Sequence, residues 1–526
     1  MNISFLFNFR LLVVAALMTG GAAWPQAIGL PSLGDGDSIS LNAERQLGDR
    51  IARELYRDPD FLEDAVLDEY IQQLWAPLLR AAVARGELSP ELQERFAWRI
   101  LLGRDRSVNA FALPGGYLGV HLGLIAVVST PDELASVLAH ELSHVTQRHI
   151  ARGMSDQAKM TPWVIGSMIL GALAVSKSPQ SAQALIVGGQ AAAIQTQLSY
   201  SRDMEREADR VGYGILADAG YDPAGFTGMF AKLQQSAGLN DSGAFPYLRS
   251  HPLTTERLAD MQARQQLNTP TPRQPQNVAH AMLSARARVL SQSQPDALQA
   301  WTQGIENLNP SAPVAERAAA LYATTLAHLQ LRNVPAAQSS LQALAELLRR
   351  LPSRTDASGG STANLSVTST AERWLRLLQA EVAFRQDQWA QSLAVLSPLA
   401  DNQNLQRPEL MAMAQALNHL PGHALTPTIT AQLREVVNRS PNDAQAWDSL
   451  SSLLSLQGQA LASLRAAGEA QVARLDWSGA LDRFRAAQEL ARSSRLQPGE
   501  HIEASIVDAR MSVARERLRA LERPER

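Results

Sequence analysis

The pattern H-E-x-x-H at residues 140–144 limits what this chain can fold into more than any other stretch of the sequence. In a helix, two side chains four residues apart lie one turn apart on the same face. His140 and His144 can then bind a single zinc ion, and Glu141 between them can take a proton from water as a general base. The spacing predicts the active site of a zinc peptidase. The alternative is a surface helix that carries two unrelated histidines.

The residues around this pattern predict a capped and buried helix. Thr130 stands where an N-cap is expected, Pro131 stands at the first helical position, and Glu133 stands where a capping box has its acidic partner. Apolar residues then recur on one stripe at helical spacing: Leu134, Leu138, Leu142 and Val145. A helix buried in this way can hold metal ligands rigidly.

A second helical pattern, from Ser201 to near Gly220, offers the third protein ligand that such a site needs. Glu205 and Asp209 are one turn apart, so both can face one site. We expect Glu205 to bind the zinc and Asp209 to hold a ligand histidine through its other ring nitrogen. Glu207 lies about 200° further round the helix and is expected in solvent. Taken alone, the E-x-x-x-D spacing is equally typical of a charged helix face.

In a related pattern of zinc peptidases, H-x-x-G-x-x-H, the last histidine is the third ligand. This pattern would begin at His144, but its glycine and its last histidine are missing. Gln147 and Ile150 stand at its glycine and histidine positions. His149 falls one residue out of that register, and we interpret it as a histidine at the surface or behind the site.

These segments together resemble a known peptidase family. Two runs carry the resemblance: H-E-x-S-H-V-T-Q-R-H and, further on, S-R-x-x-E-x-E-A-D. They are similar to the gluzincin family that includes HtpX and the CAAX prenyl proteases. They are most similar to the periplasmic members of this family that act in β-barrel assembly. Asn109–Gly116, leading into Tyr117–Leu124, and His251–Arg257 match as well, so the resemblance covers residues from about 40 to 265. It implies one zinc ion per chain.

The resemblance also implies a strand-turn-strand segment beside the site. Pro114–Gly116 has the composition of a turn, and Leu118, Val120 and Leu122 alternate as one face of a strand. An exposed edge of this segment would pair with the backbone of an extended substrate.

The same resemblance implies that His251 lies at the site, and its role there stays open. It can donate to the oxyanion of the tetrahedral intermediate, or it can take the open coordination position and hold the enzyme latent. A loop histidine without a role is the third possibility.

The chain begins with the pattern of a secretory signal over residues 1–23. Arg10 precedes the apolar run Leu11–Met18, and small residues at Gly21–Ala23 offer a cleavage site, with residue 27 as the latest alternative. The pattern predicts export, and together with the resemblance it implies a periplasmic location. The sequence has no cysteine, which excludes disulfides and thiolate ligands, and its net charge of −3 argues against nucleic acid as a partner.

Two later apolar stretches are too short to span a membrane, which takes roughly eighteen residues. Trp163–Val175 and Ala182–Ala193 are interpreted as a helical hairpin between the two metal-binding helices. A lid over the cleft, ordinary core helices, and shallow peripheral contact with a membrane or with a β-barrel substrate are the three roles that fit.

The C-terminal half is expected to be an all-α domain. A proline-rich linker at residues 269–278 separates a peptidase domain, residues 28–268, from residues 279–526. Amphipathic pairs follow: Ala315–Leu331 with Pro335–Leu351, Ala371–Arg385 with Trp389–Ala400, and Trp447–Leu456 with Gln459–Arg474 and Trp477–Arg492. Ser353–Thr370 is expected to be a loop between them. The pairs indicate degenerate tetratricopeptide-like repeats, with a generic helical array as the alternative.

The predicted fold class is therefore a mainly α protein, with a small β-sheet in an α+β zincin domain, followed by a tetratricopeptide-like helical repeat domain. The predicted function is an exported zinc endopeptidase. By resemblance, its clients are outer-membrane proteins or the β-barrel assembly machinery. The rival hypothesis is a periplasmic chaperone or assembly scaffold whose zinc site is structural or latent.

Overall fold

The computed structural model describes most of the chain. The described residues are 39–155, 201–237, 245–266, 277–306, 308–309, 311–351, 362–401, 405–493 and 498–522. The predicted signal segment, the hairpin Trp163–Val175 with Ala182–Ala193, and most of the linker at residues 269–278 lie outside them. In the part that is described, no helix combines the length and the apolar character that crossing a membrane requires.

The first half consists of helices around a small sheet, and several of these helices begin at residues whose side chains cap them. The Asp64 carboxylate accepts a hydrogen bond from the Leu67 N–H at 2.9 Å, and the Ser201 hydroxyl accepts one from the Met204 N–H at 3.2 Å. The elements in chain order are α1 (Leu41–Arg57), β1 (Phe61–Leu62), α2 (Ala65–Ala84), α3 (Pro90–Arg95), β2 (Arg99–Gly103), β3 (Ala110–Leu113), β4 (Tyr117–His121), α4 (Leu122–Val127), α5 (Pro131–Thr146), α6 (His149–Ser155), α7 (Arg202–Asp218), α8 (Ala224–Ala237), α9 (Tyr247–Ser250) and α10 (Thr255–Gln266).

The sheet has the strand order β1-β2-β4-β3, so β3 is an edge strand. Strand β4 pairs in parallel with β2 and antiparallel with β3, and every residue of β4 is buried. Gly119 lies under the Phe111 ring, where a Cβ atom would stand 2.1 Å from a ring carbon. A sheet covered on both faces explains why its strands do not alternate cleanly between apolar and polar residues.

The prediction that the strand continues to Leu122 and beyond is wrong. Strand β4 ends at His121, and α4 begins at Leu122. Short apolar runs do not distinguish a buried strand from a buried helix, which is why the pattern was misleading. Gly123 makes the turn possible, since a Cβ atom there would lie 2.1 Å from the Arg106 carbonyl oxygen.

The second half is entirely helical where it is described. Its elements are α11 (Val278–Leu290), α12 (Pro295–Thr302), α13 (Val314–Gln330), α14 (Val334–Arg349), α15 (Thr362–Arg385), α16 (Trp389–Asp401), α17 (Arg407–Leu417), α18 (Thr426–Arg439), α19 (Ala444–Leu456), α20 (Ala460–Ala473), α21 (Trp477–Ser493) and α22 (Glu500–Glu522). These helices confirm the predicted fold class and the predicted pairs. Their tetratricopeptide-like character stays a prediction.

The predicted loop at Ser353–Thr370 is wrong over its second part, because α15 begins at Thr362. Gly359 and Gly360, which break helices, precede this start. Several serine and threonine residues follow them, and this composition predicts a loop. Such side chains are compatible with a helix when their hydroxyls bond to its backbone.

Ion pairs between arginines and the N-terminal part of α2 join the two halves. Arg286 on α11 contacts Asp64 at 2.6 Å and Glu381 at 2.9 Å. Three further pairs repeat this arrangement along the same surface: Arg373 with Glu69, Arg407 with Asp68, and Arg474 with Glu63. Burial on its own raises the pKa of Asp64, but Arg286 outweighs this effect and lowers the pKa. The folded state therefore depends on a compensated buried charge.

Replacing the buried arginine should destabilise the protein strongly. We expect Arg286→Met to lower the free energy of unfolding by about 3–5 kcal/mol, because it leaves the Asp64 carboxylate buried without its cation. The double variant Asp64→Asn/Arg286→Met should recover most of this loss, since asparagine still caps α2. Chemical denaturation followed by circular dichroism measures both effects.

The matched control for this prediction is Arg349→Met. The Arg349 side chain is 74% exposed and pairs with Glu346 on the same helix. It should leave the unfolding midpoint unchanged, because exposed ion pairs contribute little. Equal midpoints for Arg286→Met and Arg349→Met would show that the buried pair does not stabilise the protein.

Candidate metal centre

Helix α5 carries the H-E-x-x-H residues and is buried along almost its whole length. Thr130 caps it as expected: its hydroxyl accepts a hydrogen bond from the Glu133 N–H at 3.1 Å. The Glu133 carboxylate reaches back one residue further than a capping box predicts, and accepts from the Ser129 N–H at 2.6 Å. These two hydrogen bonds fix the start of the helix.

Helix α7 packs directly against α5 because a glycine lies at the contact. A Cβ atom on Gly212 would stand 3.1 Å from the Ala139 carbonyl and 3.2 Å from the His140 nitrogen. The two backbones can therefore approach closely. This contact places the buried carboxylates of Glu205 and Asp209 beside the histidines of α5.

Four buried side chains meet at this contact: His140, His144, Glu205 and His251. One donor atom from each lies within 4.8 Å of the others. The Nε2 atoms of His140 and His144 are 3.0 Å apart, and each lies 3.5 Å from a Glu205 oxygen. His251 Nδ1 lies 3.3 Å from His140 Nε2 and 3.0 Å from Glu205 Oε1.

These separations fit a tetrahedral zinc ion. Ligand atoms at about 2.1 Å from zinc, at tetrahedral angles, stand about 3.4 Å from one another. Two imidazoles and one carboxylate are a common ligand set of catalytic zinc sites. His251 Nδ1 lies beside these three groups and could take the fourth position, which such sites leave open for water or substrate.

A carboxylate and a guanidinium hold the ligands from behind. His140 Nδ1 lies 2.9 Å from Asp209 Oδ1, which is the contact expected for Asp209. Arg257 donates to both oxygens of Asp209, at 2.6 and 2.8 Å, and lies 2.7 Å from Glu205. Arg257 is not among the predicted site residues. Its position in the H-P-L-T-T-E-R segment, six residues after His251, was the available signal.

The charges of the cluster follow from these contacts. Burial on its own lowers the pKa of His140, but hydrogen bonds to Asp209 and Glu205 outweigh it and raise the pKa to about 9. Burial and the neighbouring His140 hold the pKa of His144 well below its usual value. Burial opposes ionisation of Glu205, but His251 and His140 lower its pKa well below the usual value. Without metal, His140 therefore carries the proton.

Glu141 lies beside the cluster and is held by the edge strand. The Ala112 N–H on β3 donates to Glu141 Oε2 at 2.9 Å. The other oxygen, Oε1, accepts no hydrogen bond from the described residues and lies 3.4 Å from His251 Nε2. Burial raises the pKa of Glu141, although His251 and His140 oppose this. A carboxylate with a raised pKa is suited to accept a proton near neutral pH.

His251 follows α9, a helix of four residues. Its ring stacks on Tyr247 with centroids 4.5 Å apart and planes 25° from parallel. The Tyr247 N–H donates to the Val108 carbonyl at 3.4 Å, just before the edge strand. The side chain is buried in the cluster, so this is not a loop histidine in solvent.

The expectations for His149 and Glu207 have different outcomes. His149 lies behind the site, which is one of the two positions expected for it, and not at the surface: it is 1% exposed, and its Nδ1 lies 2.9 Å from His144 Nδ1. The expectation for Glu207 needs correction, since it is not simply solvated and contacts His149 at 3.0 Å and Arg152 at 2.8 Å. His149 can reach its position because α5 ends at Thr146.

The α+β framework and its donor cluster define a zinc metallopeptidase domain. Residues 72–265 match Peptidase family M48. This part of the chain is similar to that family.

Three bacterial relatives share one name, beta-barrel assembly-enhancing protease. That of Vibrio cholerae, which has the name provisionally, is 34% identical over 282 residues, 53% of this chain and 56% of the relative. That of Escherichia coli is 33% identical over 346 residues, 62% of this chain and 66% of the relative. That of Yersinia pestis is 29% identical over 436 residues, 82% and 81% of the two chains. The first two alignments thus span between half and two thirds of those relatives.

Zinc binding should release a proton. His140 must lose its proton to bind metal, and with a pKa of about 9 it is protonated at pH 7. We therefore expect the apparent zinc affinity to increase with pH, by up to about tenfold per unit between pH 6 and 8. Calorimetry in two buffers of different ionisation enthalpy measures the released proton.

Asp209→Asn is the comparison variant for this experiment. It removes the carboxylate that stabilises the protonated His140, so fewer protons should be released at pH 7. A binding heat of the wild type that is independent of the buffer would contradict the prediction.

Proposed function

We propose that this protein is an exported zinc endopeptidase that acts on envelope proteins. The observation that carries the proposal is the buried group His140, His144 and Glu205 with Glu141 beside it. In this proposal the first three side chains hold the zinc. The division into a peptidase domain at residues 28–268, a linker at 269–278 and a helical domain at 279–526 is part of it.

The chemistry divides between the metal and the chain. A zinc ion bound there supplies Lewis acidity, which polarises a peptide carbonyl and makes water easier to deprotonate. Glu141 takes the proton of the attacking water through Oε1, because Oε2 is held by the Ala112 N–H. Asp209, fixed by Arg257, keeps His140 Nδ1 occupied so that Nε2 can point to the cluster.

The edge strand β3 is the proposed support for the substrate. The Ala112 N–H points to Glu141, so the edge of β3 that is not paired with β4 faces the metal centre. A peptide added to this edge as an extended strand would bring its backbone next to Glu141. Backbone pairing of this kind selects for extended, unfolded segments more than for particular side chains.

Misassembled outer-membrane proteins are the proposed clients, and the periplasm is the proposed location. The support comes from relatives named for β-barrel assembly and from the signal-like pattern at residues 1–23. The helical domain would then bind clients or the assembly machinery. Peripheral contact with a membrane is compatible with this proposal and is not required by it.

The second candidate is a latent enzyme that serves as a chaperone or assembly scaffold. The position of His251 favours it, since its Nδ1 stands at the fourth corner of the donor cluster. If His251 bound a zinc ion there as a fourth ligand, it would take the position that water or substrate needs. The two candidates differ only in whether His251 leaves.

Replacing the base should separate binding from catalysis. We expect residues 28–526 to bind one zinc per chain both as wild type and as Glu141→Gln, because Glu141 is not a ligand in the proposal. Casein cleavage should fall by about 10²-fold or more in the variant, the usual loss for a general base. Metal analysis and a casein assay measure the two quantities.

Each alternative result is informative. Zinc in both proteins with cleavage in neither would favour the latent scaffold. Equal cleavage by both proteins would exclude Glu141 as the base. A wild type without zinc would exclude the proposal as a whole.

His251→Ala tests the two roles of His251. As a fourth ligand, His251 blocks the site, so the variant should cleave casein faster and bind zinc less tightly. As an oxyanion donor, it stabilises the transition state, so the variant should lose about 10²–10³-fold in kcat. We expect the first outcome, because Nδ1 lies 3.0–3.3 Å from two other donors.

The control for this test is His501→Ala, which removes an exposed histidine from the C-terminal helix. It should change neither zinc affinity nor cleavage. If His251→Ala behaved like this control, both roles would be excluded.

A further inference from the structure

The two histidines of α5 are supported from behind in different ways. His140 Nδ1 contacts a carboxylate directly, since Asp209 Oδ1 lies at 2.9 Å. His144 Nδ1 instead contacts another ring nitrogen, His149 Nδ1, also at 2.9 Å. Both His144 and His149 are at most 1% exposed. One of the proposed ligands thus depends on a second histidine.

The contact continues to a carboxylate near the surface. His149 Nε2 lies 3.0 Å from Glu207 Oε2, and this oxygen also accepts from Arg152 at 2.8 Å. Glu207 is only partly exposed, with 28% of its side chain accessible. The four side chains form a row from the cluster outwards: His144, His149, Glu207 and Arg152.

Hydrogen-bond chemistry fixes the direction of this row. An ionised carboxylate can only accept, so His149 Nε2 must donate to Glu207. A neutral His149 then has a bare Nδ1, which accepts the proton on His144 Nδ1. In this arrangement His144 Nε2 carries no proton. Its lone pair can then point towards the other ligand atoms of the cluster, as a metal ligand requires.

The backbone after α5 is shaped to bring His149 to this position. The helix ends at Thr146, and Arg148 follows with a φ of 53° in the left-handed region. Such a conformation is unfavourable for arginine, and contacts of its own side chain hold it. Arg148 donates to Glu44 at 3.1 Å and to the Ile39 carbonyl at 2.6 Å. This left-handed turn of the backbone lets α6 begin at His149, beside the His144 ring.

We propose that His149 is a positioning residue that selects the tautomer and the orientation of His144, and that Glu207 acts on His144 through His149. Neither residue belongs to the donor cluster. Together they set how tightly the site holds its metal. The inference rests on the proposed role of His144 as a ligand.

A purely structural role for His149 is the alternative, in which the ring fills space between α5, α6 and α7. Two substitutions separate the two ideas, because asparagine and glutamine each replace one of the two ring nitrogens. An asparagine oxygen stands at about the place of Nδ1 and can accept from His144. A glutamine amide reaches about the place of Nε2 and can donate to Glu207, but it offers His144 no acceptor.

The experiment measures the zinc dissociation constant of residues 28–526 by competition with a chromophoric chelator. We expect His149→Ala to weaken binding by about 10–100-fold, the usual effect of losing a partner behind a ligand. His149→Gln should behave like the alanine variant, and His149→Asn should stay within about threefold of the wild type. Thermal unfolding of the metal-free proteins shows whether each variant folds.

Cobalt substitution gives a second readout that packing would not change. The visible absorption of bound cobalt should shift in the alanine and glutamine variants and return in the asparagine variant. His501→Ala is the control and should match the wild type in both measurements.

Two results would overturn the inference. One is a zinc affinity of His149→Ala equal to that of the wild type. The other is recovery by glutamine as complete as recovery by asparagine, which would mean that volume alone matters. Both are distinct from failure of the proposed function, in which the wild type itself would bind no zinc.

Discussion

Compensation of buried charge between α5 and α7 is the constraint on which the rest of the catalytic half depends. Glu141, Glu205 and Asp209 are each at most 1% exposed. Among the described residues, Arg257 is the buried guanidinium in contact with this group, and it neutralises one negative charge. Two negative charges are left, and a zinc ion with its two positive charges would balance them. Without metal, the raised pKa of His140 supplies part of the balance as a proton. Metal and proton therefore compete for the same buried site.

Local spacing was sufficient to predict the members of this group that lie on α5 and α7. Positions i and i+4 face the same way in any helix, so His140 with His144, and Glu205 with Asp209, could be paired without knowledge of the tertiary fold. Arg257 and His149 could not be found in this way. Arg257 comes from another helix, and His149 depends on the left-handed residue Arg148. Nothing in the sequence marks arginine for that conformation, since it is stabilised by contacts with Glu44 and Ile39, more than a hundred residues away.

Buried charges are also compensated at the junction between the two halves, where they fix the position of one half against the other. Arginines of the helical half meet carboxylates at the start of α2, and a cavity of about 430 Å³ lies beside Asp64 and Arg286. Paired buried charges contribute little net stability compared with apolar packing, but a wrongly placed partner leaves a charge uncompensated. The pairs thus favour one relative position of the halves. Amphipathic periodicity predicted the helices, whereas the partner of each arginine lies in a distant segment and could not be predicted from the sequence.

The edge strand, the base and His251 form one connected unit. The Ala112 N–H fixes one oxygen of Glu141, so the other oxygen is the one that can act on water. That oxygen faces His251 Nε2 at 3.4 Å, while His251 Nδ1 stands among the metal donors. His251 therefore contacts both the proposed metal ligands and the free oxygen of the proposed base. His251 follows the four-residue helix α9, whose Tyr247 donates to the Val108 carbonyl and stacks on the His251 ring, so α9 sets the position of His251. In the proposed function, this conformation would be the closed form of the site, and displacement of His251 would give the open form.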